Sequence, residues 1–219
     1  MIYGEPELTE QENPEEEIID NPNETDSFGR TLLMKAAKAG NDWQVKTLLR
    51  SGADVNLKDK DGWTALMYAV RYQESMTCVD LLIGADAVVK VQNNYGSSPL
   101  AIAACYNNNP EVIKKLLSFY TASDKEVLKS LVLLLSENHT TEYVQLAKLN
   151  VYLNSSIPLN NFYEGKTPLM YAAEFGNSTK VIQTLLDSNA ITSIRSTEGK
   201  TAYDYASNNK KLKHDNTYW

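Results

Sequence analysis

Cysteine and histidine are scarce in this sequence, which has two of each among its 219 residues. Cys78 and Cys105 lack a CxxC spacing and are too few for a disulfide framework. His139 and His214 have neither a serine or cysteine nucleophile at a motif spacing nor grouped metal ligands around them. The GxxxxGKS/T and HExxH patterns are also absent. We therefore predict that the chain is not an enzyme and binds neither a metal nor a cofactor.

Long apolar runs are missing as well. Even the leucine-rich run Leu131–Leu135 is far shorter than the roughly 20 residues of a membrane-spanning helix, so no membrane span is predicted. Met1 is followed by neither a basic segment nor an apolar one, so this chain shows no signal peptide. We predict a cytoplasmic localisation, with export by a leader absent from this chain as the alternative.

Basic residues are absent from the first 26 positions, which hold ten of the 28 acidic residues. A segment with so much charge and so little apolar surface cannot recover its ordering entropy by burial. We therefore predict that residues 1–25 form a disordered acidic tail. It is either a solubilising leader or a segment that folds back onto a basic face and competes with a partner. The net charge of −7 argues against nucleic acid as a partner.

Glycine is infrequent too, with ten residues, but five of them recur in one pattern. They begin the segments GRTLLMKAAKAGN, GWTALMYAVRYQ, GSSPLAIAACYNN, GKTPLMYAAEFGN and GKTAYDYASNN. These glycines are Gly29, Gly62, Gly96, Gly165 and Gly199, at intervals of 33, 34, 69 and 34 residues. A second apolar segment follows each complete copy. Because 69 is about two periods, the pattern indicates a row of repeats.

The copy that begins at Gly165 shows the local structure that each copy encodes. Thr167 suits a helix N-cap, and Pro168 fits the first helical position, where its missing N–H costs nothing. The small Ala172 on the buried face requires a neighbouring helix to approach closely. Gly176 is predicted to adopt a positive φ and to end the helix.

These segments resemble the ankyrin repeat, which has a period near 33 residues, a β-turn followed by two helices, and a T-P-L-H-x-A signature. The resemblance covers residues 26–211. It implies an all-α solenoid of about five to six helix-turn-helix units, with turn glycines at positive φ. The implied repeats are 26–58, 59–92, 93–123, 124–160 and 162–195, with a C-terminal cap at 196–213 and a short tail at 214–219.

The sequence departs from the family pattern in three places. The signature histidine is replaced by Met34, Met67, Ala101, Met170 and Asp204. The second copy has a one-residue insertion at 73–76. The fourth unit, 124–150, lacks both the turn glycine and the signature. We interpret it as a degenerate repeat, and the alternative is an inserted helical pair that interrupts the stack.

The resemblance implies that a partner protein binds at the turn tips and on the exposed side of the first helix of each repeat. The matching positions are rich in aromatic residues and arginine, which dominate binding hot spots. The predicted binding residues are Phe28, Arg30, Lys60, Trp63, Arg71, Tyr72, Tyr95, Tyr106, Tyr163, Lys166 and Phe175. Further exposed positions are Lys38, Ser97 and Glu174. The expected core residues are Leu33, Ala36, Leu66, Ala69, Leu100, Ala103, Leu169 and Ala172.

Among the binding residues, a continuous stripe is expected to suit an acidic or aromatic peptide or protein. Its members are Trp63, Arg71, Tyr72, Tyr95 and Tyr106. Tyr68 and Tyr171 follow the signature methionine inside the helix, and we expect them to cover the edge of the neighbouring repeat instead.

Three classes of function fit these observations. The leading prediction is a monomeric, non-enzymatic protein–protein interaction scaffold. The second is a regulator or inhibitor of a partner enzyme, and it differs from the first because the captured partner would lose activity. The third is a bacterial effector directed at a host, since richness in Asn, Lys and Tyr is typical of an AT-rich genome.

Overall fold

The computed structural model of the protein describes residues 19–72, 75–136 and 139–212. Within these ranges the regular structure is helical, apart from two isolated β-bridges. The helices are α1 (Leu32–Ala39), α2 (Asp42–Arg50), α3 (Ala65–Tyr72), α4 (Met76–Gly84), α5 (Pro99–Tyr106), α6 (Pro110–Leu117), α7 (Lys125–Ser136), α8 (Glu142–Leu153), α9 (Pro168–Phe175), α10 (Thr179–Asp187) and α11 (Ala202–Asn208). The predicted all-α fold is confirmed.

The helices alternate between an inner row and an outer row. In the inner row, α1, α3, α5, α7, α9 and α11 each contact the next member. In the outer row, α2, α4, α6, α8 and α10 do the same, and each also packs on the inner helix before it. This is the predicted solenoid, in which every helix pair buries its apolar side against its neighbours.

Small side chains let the inner helices lie close together. Ala36, Ala69, Ala103 and Ala172 are all buried at the contacts between successive inner helices. The four leucines that we expected in the core with them are buried as well. The core prediction is therefore confirmed, and the alanines explain how apolar packing continues from one repeat to the next.

A tight turn precedes every described inner helix except α7. The five turn glycines all have positive φ, between 72° and 83°, as expected. In the second turn, the Oδ1 atom of Asp59 accepts the backbone N–H groups of Asp61 and Trp63 at 3.0 and 2.8 Å. Asp26 and Asn93 hold two other turns in the same way, so a side-chain acceptor three residues before the glycine fixes the turn.

Neighbouring turns also pack against each other. The backbone N–H of Lys60 donates to the carbonyl oxygen of Phe28 at 3.1 Å, and that of Asn94 donates to Asp61 at 3.0 Å. A Cβ atom on Gly62 would lie only 2.9 Å from the backbone nitrogen of Asn94. Glycine is therefore required at position 62 for two reasons: the backbone has a positive φ, and the neighbouring turn leaves no room for a Cβ atom.

Replacing Gly62 by alanine is expected to lower the free energy of unfolding more than replacing Gly52 by alanine. Both glycines have a positive φ, 78° and 84°. Each substitution therefore carries the left-handed cost of roughly 1–2 kcal/mol. Nothing lies within 4 Å of a Cβ atom at Gly52, so only Gly62→Ala also disturbs a neighbouring turn. Urea unfolding of both variants measures the difference, and equal losses would contradict the packing of the turns.

The fourth unit continues the stack although its sequence is degenerate. Helices α7 and α8 have 12 residues each, longer than the other described helices. Helix α7 packs between α5 and α9, and α8 packs between α6 and α10. The Nζ atom of Lys129 in α7 donates to the carbonyl oxygen of Gly96 at 2.6 Å. The fourth unit, which has no glycine turn of its own, thus contacts the turn of the third repeat. An inserted pair that interrupts the stack is thereby excluded.

Side-chain donors connect the C-terminal ends of the inner helices to the next repeat. Asn107 and Asn209 donate through Nδ2 to carbonyls in the last turns of α3 and α9, at 2.8 and 2.9 Å. At the end of α5 the donor is Lys148 of α8, whose Nζ atom lies 3.3 Å from the oxygen of Ala103 and 2.9 Å from that of Ala104. Lys148 is fully buried, and this burial lowers the pKa of its ammonium group to about 8.

The conformation that we predicted for Gly176 is wrong. Its φ is −66° and its ψ is 162°, so the chain leaves α9 in an extended conformation. Its N–H donates to the carbonyl oxygen of Ala172 at 3.0 Å, and an added Cβ atom would collide with that oxygen. Glycine is needed here for close approach rather than for a left-handed backbone. Gly40, at the end of α1, does have a positive φ of 68°.

The prediction that residues 19–25 belong to a disordered tail is also corrected. The backbone N–H of Ile19 donates to a hydroxyl at the end of α2 at 3.0 Å. The Oδ1 atom of Asn23 accepts a backbone N–H from the loop after α2 at 2.7 Å. Asn56 makes the same type of contact with the next repeat, at 2.8 Å. The segment therefore packs like the loop of a regular repeat, while residues 1–18 lie outside the described ranges.

Two further predictions concern residues outside those ranges. The insertion at 73–76 involves Gln73 and Glu74, which the structure does not describe. The short tail at 214–219, with His214, also lies outside the described residues.

Candidate functional site: an aromatic face on the inner helices

Aromatic rings form ladders along two inner helices. In α3, Tyr68 and Tyr72 stack with ring centroids 6.3 Å apart, and in α9 the rings of Tyr171 and Phe175 are also 6.3 Å apart. The helical period puts residues four apart on one side of a helix. Both ladders occupy the same repeat positions. We define the aromatic face as Trp63, Tyr68, Arg71, Tyr72, Tyr106, Tyr163, Lys166, Tyr171 and Phe175.

Arg71 is the centre of the first cluster on this face. Its guanidinium carbon lies 3.4 Å from the ring centroid of Tyr106 and 5.6 Å from that of Tyr72. The Nζ atom of Lys38 lies 4.9 Å from the same Tyr72 ring, and His139 stacks on Tyr106 at 4.9 Å. Tyr72 and Tyr106 are nevertheless 48% and 37% exposed. Residues from four successive units thus order two rings that remain open to solvent.

Trp63 extends this cluster toward the turn. Its ring centroid lies 5.2 Å from that of Tyr68, and both side chains are half-buried. The Tyr68 hydroxyl donates to Oδ2 of Asp59 at 2.7 Å. Burial and the neighbouring Asp59 carboxylate both raise the pKa of Tyr68 far above its ordinary value. The hydroxyl therefore remains a protonated donor, and it fixes the ring between the turn and Tyr72.

The second cluster surrounds Lys166. Its Nζ atom lies 5.9 and 5.8 Å from the ring centroids of Tyr171 and Phe175, and 2.6 Å from a carboxylate oxygen of Glu174. Burial acts to lower the pKa of Lys166, but the Glu174 carboxylate raises it above its ordinary value. The Tyr171 hydroxyl donates to the carbonyl oxygen of Tyr163 at 3.1 Å. The cation of this cluster is thus already neutralised by a carboxylate.

The remaining predicted residues lie at the turns. Arg30 covers the ring of Phe28 at 4.7 Å and forms an ion pair with Asp26 at 2.9 Å. Lys60 is exposed in the second turn, and the Tyr95 hydroxyl donates to a carboxylate oxygen of the preceding turn at 3.1 Å. The expected stripe is therefore divided, because Tyr95 contacts the turn row while Arg71, Tyr72 and Tyr106 meet at the other end of the helices.

Sequence reasoning missed two residues of the aromatic face, Tyr68 and Tyr171, and one residue that packs on it, His139. Tyr68 and Tyr171, which we expected to cover a neighbouring repeat, form hydrogen bonds within their own repeats and carry the ladders. Their spacing of four residues to Tyr72 and Phe175 was a signal that could have identified them. His139 had no such signal, because it lies between the helices of the degenerate unit and reaches Tyr106 only through the tertiary fold.

Two surface clefts lie outside the aromatic face. One of about 420 Å³ opens beside the fourth unit, and one of about 530 Å³ runs along α4. The first is lined by Lys90, Gln92, Ser98, Tyr120, Asp124, Lys125 and Glu126. Across the described ranges, no group of three or more His, Cys, Asp or Glu side chains is arranged to hold a metal ion. None of the helices described there is long and apolar enough to cross a membrane.

Comparison with known families identifies the class of protein. A family model described as ankyrin repeats in three copies matches residues 12–91, 33–129 and 122–216. The chain belongs to the ankyrin repeat family. Ankyrin repeats are in general protein–protein interaction modules, and their fold is in general a non-enzymatic scaffold.

Individual relatives match most of the length of this chain. Mitochondrial disaggregase of Bos taurus is 28% identical over 182 residues, covering 83% of this chain and 22% of that protein. Inversin of Canis lupus familiaris is 32% identical over 177 residues, covering 78% of this chain and 16% of that protein. The crystal structure of the human ASB11 ankyrin repeat domain superimposes with a TM-score of 0.73 at 26% identity, covering 85% of this chain and 81% of that chain. The chain thus spans about a fifth of the length of these two curated relatives.

Proposed function

We propose that this chain is a non-enzymatic interaction scaffold that binds a partner protein on its aromatic face. One observation carries the proposal. Tyr72 and Tyr106 are held in a fixed arrangement by Arg71 while 48% and 37% of their surfaces stay exposed. Rings that serve only the core are covered by it, as Tyr152 is in this structure.

The energetics of binding favour such a surface. An aromatic side chain buries roughly 150–250 Å² and has few rotatable bonds, so it contributes much contact area at a low entropic cost. Stacking against Arg71 and His139 already restricts the Tyr106 ring before a partner arrives. The ordering cost of binding is therefore reduced, which is the general basis of preorganised binding.

Replacing Tyr106 by alanine is the test. We expect the affinity for the main protein captured by the wild-type chain from its native cells to fall roughly thirtyfold, the equivalent of about 2 kcal/mol at a hot spot. Phe119→Ala is the matched control, because Phe119 is an aromatic residue of similar exposure that follows the outer helix α6. Purified partner and surface plasmon resonance give the affinities.

Equal affinities of both variants would contradict the proposal. Thermal unfolding of the same preparations shows whether Tyr106→Ala has lost binding or merely its fold. If the captured partner is an enzyme, its activity with and without a saturating amount of this protein separates an inhibitor from a scaffold.

A further inference from the structure

Two groups of basic residues on the inner side of the solenoid are neutralised within the chain. Arg30 and Lys35 both contact the carboxylate of Asp26, at 2.9 and 3.1 Å. Lys166 is paired with Glu174 at 2.6 Å. Arg71 differs, because no carboxylate or carbonyl among the described residues accepts a hydrogen bond from its guanidinium group, which instead lies against the rings of Tyr72 and Tyr106.

The stacking of Arg71 determines where its donors point. At 3.4 Å from the ring centroid, the guanidinium carbon is at van der Waals distance from the face of Tyr106. The N–H donors of a guanidinium lie in its plane, so a group stacked by its face directs them sideways, away from the ring. This arrangement leaves a planar fork of donors available beside two exposed aromatic rings.

We propose that Arg71 forms an anion subsite that binds a carboxylate of the partner in a bidentate manner. The inference rests on the proposed function and names the chemistry of the partner: an acidic group next to an aromatic or apolar side chain that packs on Tyr72 and Tyr106. Planar carboxylates match the guanidinium fork, which can hold both carboxylate oxygens at once. The Lys166 cluster lacks this property, because its cation is paired with Glu174.

A random peptide display library selected on the full-length protein tests this chemistry. Peptides selected by the wild type are expected to combine Asp or Glu with an aromatic residue. Selection on Arg71→Gln is expected to lose the acidic preference and to keep the aromatic one. Selected sequences without acidic enrichment, or the same enrichment for Arg71→Gln, would overturn the subsite. Failure to select any peptide would overturn the proposed function together with it, so the two failures are distinguishable.

Synthetic versions of the selected peptides then give the magnitude. Arg71→Lys keeps the charge but loses the planar fork, and we expect at least a tenfold loss of affinity because an ammonium group cannot form two parallel hydrogen bonds to one carboxylate. Lys46→Gln, which removes one charge from the exposed side of α2, is expected to change the affinity little. A loss in Arg71→Lys no larger than that in Lys46→Gln would show that the planar fork contributes nothing beyond its charge, and would reject the subsite.

Two sources could supply the carboxylate, an acidic side group of the partner or its C-terminal carboxylate. Peptides with amidated C-termini distinguish them, because amidation abolishes binding only if the terminal carboxylate occupies the fork. If neither amidation nor replacement of Asp and Glu by their amides weakens binding, the proposal is wrong.

Discussion

Replacing Leu131 by alanine is expected to lower the free energy of unfolding by about 2–5 kcal/mol. Leu131 is completely buried in α7, which packs between α5 and α9 in the middle of the inner row. Removing its side chain leaves a cavity that the flanking helices cannot fill without moving. Because each repeat of a solenoid contacts only its neighbours, we also expect the two ends of the stack to unfold in separate transitions in the Leu131→Ala variant.

Two optical signals measure this effect in one urea titration. Tryptophan fluorescence reports largely on the N-terminal repeats, where Trp43 and Trp63 lie, while circular dichroism reports on all helices. In the wild type the two curves are expected to coincide, and in Leu131→Ala the midpoints should separate. Leu133→Ala, at a half-buried position of the same helix, is the matched control with a smaller loss. Coincident curves in Leu131→Ala, with a loss no larger than that of Leu133→Ala, would show that coupling between the two halves does not depend on Leu131.

Replacing Lys148 by alanine is expected to cost about 2–4 kcal/mol, which is unusual for a lysine. Its stem fills a fully buried position, so truncation leaves a cavity of the kind made by a core substitution. The carbonyl groups of Ala103 and Ala104 lose their donor at the same time. Thermal or urea unfolding of this variant measures the loss, and a change below about 0.5 kcal/mol, typical of a surface residue, would contradict it.

The pH dependence of stability provides a separate test of Lys148. Its pKa in the folded protein is about 8, below the ordinary value near 10.4 that applies when the protein is unfolded. Between these values the unfolded state binds more protons, so this lysine makes the folded state more stable as the pH rises. Relative to Lys148→Met, the wild type should gain about 1–2 kcal/mol between pH 7 and pH 9.5.

The comparison with Lys148→Met is necessary because other groups oppose this trend. Burial raises the pKa of Cys78 to about 12, so the unfolded state loses that proton first and Cys78 lowers stability at alkaline pH. That contribution is shared by both proteins and cancels in the difference. A difference that stays constant across the range would show that the Lys148 pKa is not lowered by burial.

The positions of the helices followed from local chemistry. Turn glycines such as Gly62 and Gly96, the caps after them and the alanine spacing specify the same conformation in each copy, so repetition made the signal strong. Local sequence chemistry did not determine how α9 ends, because a glycine such as Gly176 can end a helix with either a left-handed or an extended backbone. The contact that excludes a Cβ atom at Gly176 involves a carbonyl oxygen within the folded turn.

The residue types of the candidate site could be predicted from the sequence, but their arrangement could not. Most of its residues were identified because they occupy matching positions in successive repeats. Which rings meet depends on where each residue lies along its repeat. Tyr95 lies in the turn before α5 and Tyr106 is the last residue of α5, so the two contact different neighbours. His139 and the Arg71–Tyr106 stack join residues that are 33 or more positions apart, a distance over which a sequence of this kind carries no pairing signal.

The sequence by itself determined that this protein is a helical repeat protein, because a period of about 33 residues with small inner residues can bury its apolar sides only by stacking. Tertiary structure alone decided that the degenerate fourth unit joins the stack and that residues 19–25 pack on the first repeat. It also decided that Arg71, within the described part of the chain, lies against aromatic rings rather than a carboxylate. Each of these depends on which groups lie near each other in space, and therefore on packing between units rather than on any segment alone.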